Sequence, residues 1–221
     1  MRNERSRLAV SSMRRTAADA LRGTLGRLVP VSRRSEPRPF NLNAQERAAW
    51  QERAEAAVGL LLSDSVWDCG PLRIADLGCG NERVQRILER RAPRSYTYQG
   101  YDLHPQSGSV IKLDIAHALP SVDFDVAICL GVLEYLDDVP SFLRRLGARF
   151  PFTVLSYSVA DSPGPTSRLA QRRALGWRTD YTSAAVEAEL ARCGFVVCSV
   201  ATTDRGAIGL WLVSSAGERG R

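Results

Sequence analysis

Residues 72–81, Leu-Arg-Ile-Ala-Asp-Leu-Gly-Cys-Gly-Asn, decide the fold. A mostly apolar run of strand length passes without a break into a turn with two glycines, and a helical pattern opens behind it. A strand that is apolar on both sides of its pleat belongs in a parallel sheet covered on both faces. Gly78 and Gly80 let backbone approach a ligand where a β-carbon would block both the turn and the contact. Such a turn is also a common structural device, so its meaning depends on what surrounds it.

Downstream, strand and helix signals alternate. Residues 82–91 read as a helix that stops before Pro93, and 95–102 (SYTYQGYD) as a strand. Strands follow at 109–114 (SVIKLD), 124–131 (FDVAICLG) and 152–159 (FTVLSYSV), with helices at 137–149 and 182–193, the last closed by Gly194. Two strand-like runs, FVVCSVATT and AIGLWLVSS, end the chain, joined around Asp204, Arg205 and Gly206 as a hairpin. The alternation predicts an α/β, doubly wound, Rossmann-like sheet, mostly parallel, with an antiparallel strand at its edge from the C-terminal hairpin. Ligands of such sheets bind at the carboxyl ends of the strands, where the strand order reverses.

Two crossovers depart from this plan. Residues 103–108 and 115–123 are too short for the usual crossover helix, which needs a dozen or more residues. Loops are expected there, leaving a sheet face to be covered by the N-terminal segment or by a second subunit, which makes a homodimer one candidate assembly.

Upstream, residues 43–62 form a helical pattern with Asn43 as N-cap and Glu46 three residues on, and Trp50, Ala54, Ala57, Val58, Leu61 and Leu62 make its apolar stripe. Residues 2–29 read as a basic amphipathic helix, ended by Pro30 and followed by a proline-broken linker. The expected organisation is therefore an extension over 1–40 and one domain over 41–221. Docking or fraying is the favoured reading of the basic helix; peripheral contact with an anionic membrane surface comes next, and an organellar presequence is the third.

Charge and cysteine usage exclude several classes. The formal charge of +6 resides in the extension, where ten arginines face three acids, while the rest of the chain holds 20 bases and 21 acids. A domain so nearly neutral has no field to steer a polyanion, so nucleic acid is not an expected partner. Among the bases only Lys112 is a lysine, a bias that suits a GC-rich bacterial genome. Five cysteines with no C-x-x-C pair, and only His104 and His117 beside them, give neither a disulfide framework nor a metal site. No apolar run approaches the length of a membrane span or a signal-peptide core. A cytoplasmic protein with reduced thiols is expected.

The acids at the predicted strand ends carry the chemistry. Asp76 precedes the glycine turn, Asp102 closes the second strand, and Asp114 closes the third. A carboxylate placed like Asp102 can accept hydrogen bonds from both hydroxyls of a ribose, and one placed like Asp114 can meet a purine amino group. The turn G-C-G-N-E is not the G-x-G-x-x-G that seats a pyrophosphate, which weighs against a dinucleotide oxidoreductase.

Together IADLGCGN (74–81), YDLHP (101–105), LDIAHALP (113–120) and FDVAICLGVLEYLDDVPSFLRRL (124–146) resemble the class I S-adenosylmethionine-dependent methyltransferase family, in its small bacterial form, over about residues 45–215. The resemblance implies a seven-stranded sheet with a reversed final strand and S-adenosyl-L-methionine as cofactor. It places Asp76, Gly78, Cys79 and Gly80 against the methionine and ribose portion, and Asp102 and Leu103 at the ribose. Asp114 and Ile115 would meet the adenine, and Leu130 and Gly131 the sulfonium. The chain departs from the family at Glu82, where many relatives have a third glycine, and at Tyr135, where many have histidine.

Methyl transfer from a sulfonium needs alignment and exclusion of water more than it needs a catalytic side chain. Glu134, Tyr135 and Tyr157 are the candidate catalytic residues, with His104 and Asp161 behind them. Residues 158–181 form the expected acceptor segment, with Trp177, Arg178 and Tyr181 as candidate substrate contacts beside Arg172, Arg173 and Asp180. Aromatic and guanidinium groups together suit a sugar or an anion, so the acceptor is expected to be a small molecule or a glycan. The rival reading is a catalytically inactive relative that binds cofactor or partner.

Overall fold

The structure is a computed structural model and describes residues 44–162 and 168–216. The expected basic helix, the linker after it and the Asn43 cap lie outside the described residues.

The elements are α1 (Ala44–Ser63), β1 (Leu72–Leu77), α2 (Arg83–Arg91), β2 (Tyr96–Asp102), β3 (Ile111–Lys112), β4 (Val126–Leu130), α3 (Val139–Arg149), β5 (Phe152–Ser158), α4 (Leu169–Ala174), α5 (Ser183–Arg192), β6 (Phe195–Thr203) and β7 (Ile208–Ser215). A 3-10 turn, Ser65–Cys69, joins α1 to β1. The strands form one seven-stranded sheet in the order β3-β2-β1-β4-β5-β7-β6. The first five run parallel, and β7 lies antiparallel to both of its neighbours.

The reversed strand is therefore not at the edge, as the hairpin reading had it, but one place in. Burial gives the reason. Strand β7 is buried at every position from Ile208 to Ser214, whereas β6 is buried only at its two ends and half-buried or exposed between them, so it can tolerate an edge.

Each central strand supplies both cores, as a doubly covered sheet requires. Ala75 and Leu77 of β1, Ala127 and Cys129 of β4, and Trp211 and Val213 of β7 pack under Phe142 and Leu146 of α3 and Leu190 of α5. Their neighbours Ile74, Ile128 and Leu212 face the other way, under Ala57, Val58 and Leu61 of α1 and Ile87 and Leu88 of α2. Local signals set the helix starts: the Asp138 carboxylate accepts from Ser141 N and the Thr182 hydroxyl from Ala185 N.

Both short crossovers are loops. The predicted strand 109–114 shrinks to Ile111–Lys112, so Asp114 stands beyond its end rather than closing it. Between β3 and β4, Ile115 and Phe124 are buried in the α3 side of the core with Leu113 and Leu119 against them. Arg145 and Arg149 of α3 donate to the loop carbonyls of Ala116 and Pro120 at 2.7 and 3.1 Å. Side chains of the loop itself thus do the covering that a helix would do. Between β2 and β3, the hydroxyls of Ser107 and Ser109 each donate to the Glu82 carboxylate at 2.8 Å.

Candidate active site

Strand order reverses between β1 and β4, with β2 on one side and β5 on the other. The carboxyl ends of these strands hold Asp76, Asp102, Gly131 and Ser158.

The β1 turn is held against β2: Gly78 N and Cys79 N both donate to the Tyr101 carbonyl, at 2.7 and 3.1 Å. Gly80 takes a left-handed conformation at φ +54°, and a β-carbon there would stand in open space. Asp102 is half-buried beside it. Its Oδ2 accepts from Gly80 N at 2.9 Å and its Oδ1 from His104 N at 2.8 Å. Each oxygen is fixed by one backbone donor and keeps further acceptor capacity.

Asp76 is 2% exposed, and Tyr98 donates to it at 2.6 Å. Burial, against the opposing pull of that hydrogen bond, lifts its pKa to about 7. Burial also raises the Cys79 thiol well above its usual range, so Cys79 is a packed thiol and not a nucleophile. Asp114 is exposed and caps its own turn by accepting from Ala116 N at 3.1 Å. Ile115 is buried behind it, while Leu103 is 40% exposed. Among the described residues no cluster of His, Cys, Asp or Glu could hold a metal ion.

Past β4, Gly131 is left-handed at φ +62°, and its N–H donates to Ser156 Oγ at 2.9 Å. The Trp50 ring and the Arg53 guanidinium of α1 close over it, so that a β-carbon at 131 would collide with both. The guanidinium lies 4.3 Å from the Trp50 ring centroid. These two residues escaped the sequence reading. The available signal was an arginine three residues after Trp50 and four before Ala57, on the apolar stripe itself.

Glu134 is 1% exposed, and its Oε1 accepts from Ser158 N at 2.9 Å. Tyr135 is half-buried, and burial raises its phenol. The Tyr157 hydroxyl is already engaged, donating to Thr179 Oγ1 and accepting from Arg172 and Tyr181 N. His104 is exposed, and Asp161 Oδ1 accepts from Ser183 N at 3.2 Å.

The acceptor segment is organised by Arg172, which is 1% exposed. It donates to the Ser158 carbonyl, the Tyr157 hydroxyl and Asp180 Oδ1, each at 2.8 Å, and to the Thr179 carbonyl at 3.0 Å. Its guanidinium also stacks 4.8 Å from the Trp177 ring. Arg173 pairs with Asp180, Arg178 pairs with Asp137, and Tyr181 packs edge-on to Tyr157. Of the predicted contacts, Trp177 is half-buried and Arg178 exposed. Residues 163–167 of this segment lie outside the described residues.

A model of the methyltransferase domain matches residues 15–200. The chain belongs to the class I methyltransferase family. This methyltransferase is 28% identical over 148 residues to a trans-aconitate 2-methyltransferase of Rhodopseudomonas palustris strain BisB18; the match covers 61% of the chain and only 57% of that relative. It also shares its fold with magnesium protoporphyrin IX methyltransferase of Synechocystis PCC 6803, solved with bound SAH, at TM-score 0.59 and 17% identity over 90% of this chain and 94% of that one. Mitomycin 7-O-methyltransferase is similar at TM-score 0.60 and 16% identity, covering 78% of this chain and 56% of its own.

The family's methyl donor is S-adenosylmethionine, and the residues present fit it. Gly80 turns bare backbone to open space, and Asp102 offers unfilled acceptor positions beside it. No helix among the described residues is long and apolar enough to cross a membrane.

Proposed function

We propose that this methyltransferase moves a methyl group from S-adenosylmethionine to an oxygen or nitrogen of a small organic molecule. The observation that carries the reading is Asp102, whose two oxygens are aimed by Gly80 N and His104 N beside the glycine turn. Asp102 would take the ribose hydroxyls, with Leu103 beside it. Gly78, Cys79 and Gly80 would line the ribose and methionine side, over Asp76. Asp114 and Ile115 would border the adenine, and Leu130 and Gly131 the sulfonium.

When bound, the cofactor supplies an electrophilic methyl on a cationic sulfur. Residues of this chain orient the acceptor and exclude water, the two contributions such a displacement asks of a protein. Trp50 and Arg53 roof the β4 end, and Tyr135 and Trp177 wall the β5 side. Glu134 is the candidate proton acceptor, since its Oε2 has no partner among the described residues. A glycan acceptor is less favoured, because all three arginines of the set behind it already have partners within the protein, Arg172 at Ser158, Arg173 at Asp180 and Arg178 at Asp137.

Calorimetric titration of S-adenosylmethionine and S-adenosylhomocysteine into the protein and into Asp102→Ala tests the reading. Micromolar binding by the native protein, weakened at least tenfold in the variant, is expected. Equal affinity in the two proteins would overturn the assignment of Asp102.

A further inference from the structure

Two buried polar atoms of opposite kind stand unsatisfied at the ends of β4 and β5. Arg53 is 6% exposed, and its Nη2 donates to Ser158 Oγ at 3.3 Å. Its Nε has no hydrogen-bond partner among the described residues. Glu134 holds Ser158 N with Oε1, and its Oε2 is the second such atom. The two side chains thus approach one residue, Ser158, from different elements. A buried donor or acceptor left without a partner costs about 1–3 kcal/mol. Two of them beside the reversal point of the sheet mark a place built for something else.

Position puts this place beside the methyl-donating end of the cofactor site. The glycine turn, Asp76 and Asp102 belong to β1 and β2, whereas Gly131, assigned above to the sulfonium, lies under Arg53, and Ser158 ends β5. Charge narrows the ligand. One guanidinium matches one negative charge, while the second charge of a phosphate would face the Glu134 carboxylate. A guanidinium–carboxylate hydrogen bond is also charge-assisted, so it can repay desolvation that a neutral partner could not. Burial pulls the Arg53 pKa down, against the opposing pull of the Glu134 carboxylate.

We propose that Arg53 and Glu134 form an acceptor subsite for a hydroxy acid, with Arg53 Nε donating to its carboxylate and Glu134 Oε2 accepting from its hydroxyl. The proposal rests on the methyltransferase reading and deepens it by naming the acceptor's chemistry. Arg53 acts here as a specificity-determining residue.

The test is calorimetry on the full chain in saturating S-adenosylhomocysteine, with L-malate, citrate, salicylate, trans-aconitate and dimethyl malate as probes. At least one hydroxy acid is expected to bind, and the uncharged diester is not. Arg53→Met should weaken that acid at least tenfold while S-adenosylhomocysteine affinity stays within threefold. Arg53→Lys, which keeps the charge but lacks Nε, should show the same loss, and circular dichroism confirms that each variant is folded. Glu134→Gln, which keeps an oxygen for Ser158 N, should weaken hydroxy acids more than trans-aconitate. Three outcomes overturn the subsite: no acid binds the native protein, the Arg53 variants bind acid unchanged, or they lose S-adenosylhomocysteine to the same degree. The last would make Arg53 a ligand of the donor's own carboxylate. Failure of the native protein to bind S-adenosylhomocysteine strikes the parent reading, a result separate from all three.

Discussion

The phenol of Tyr98 donates a 2.6 Å hydrogen bond to the buried carboxylate of Asp76, joining β2 to β1 one step below the glycine turn. That carboxylate titrates near pH 7, chiefly because burial penalises its charge, with Asp102 and Glu82 adding repulsion. The folded state therefore holds a proton that the unfolded chain has already released above the ordinary carboxylate pKa. The resulting stabilisation is complete below about pH 4 and is lost as the pH rises through about 7. Asp76→Asn keeps an acceptor for Tyr98 without the charge. Urea unfolding at pH 4.5, 6 and 8 should show this variant gaining on the native protein as pH rises, and a pH-independent difference would contradict the assignment.

Arg172 and Arg173 are adjacent in sequence and opposite in role. Arg172 is enclosed by Ser158, Tyr157, Thr179 and Asp180, whereas Arg173 reaches Asp180 from solvent. Removing the buried guanidinium strands the buried acceptors it satisfies, at about 1–3 kcal/mol each. An exposed pair contributes at most about 1 kcal/mol. Arg172→Ala should therefore lower the denaturation midpoint sharply and free the indole of Trp177, seen as a shift in its fluorescence. Arg173→Ala should leave both within error.

This contrast marks the limit of what the sequence displayed. The run into Gly78 and the apolar runs at 126–130 and 208–215 name their strands, because burial on both faces leaves no alternative composition. Asp102 stood out as an acid at a strand end. The place of β7 inside the sheet was hidden, since it depends on which of two strands tolerates an edge. Arg172 read as one more arginine of the acceptor segment because nothing local distinguishes a buried guanidinium from an exposed one; its partners lie 7 to 15 residues away. Arg53 carried one local sign, its place on the apolar stripe of α1, but its partner Ser158 lies 105 residues away.

Glu82 occupies a conformation that glycine usually takes, at φ +58°, and its carboxylate carries the hydroxyls of Ser107 and Ser109. Left-handed backbone at a non-glycine residue costs about 1–3 kcal/mol. Glu82→Gly relieves that strain and removes two charge-assisted hydrogen bonds, effects of similar size and opposite sign. Global stability should stay within about 1 kcal/mol, while residues 103–110 lose their tether. Hydrogen exchange should quicken in that loop alone. Unchanged exchange there would show that the serine contacts do not hold it.

Gly80 and Gly131 are both left-handed, but their surroundings differ, and paired alanine substitutions separate backbone strain from crowding. At Gly80 the new methyl meets no protein atom, so the cost is the conformational penalty, about 1–2 kcal/mol. At Gly131 it also strikes the Trp50 ring at 2.5 Å and the Arg53 guanidinium. Displacing those side chains adds about 1–3 kcal/mol of overpacking. Gly131→Ala should therefore be clearly the less stable of the two in urea. Ligand affinity should follow the site and not the stability. Gly80→Ala puts a methyl into the open space beside Asp102 and should weaken S-adenosylhomocysteine at least tenfold despite its milder unfolding. If the two variants lost affinity in proportion to stability, the open space at Gly80 would be incidental, and the cofactor would have to be seated elsewhere on the crevice.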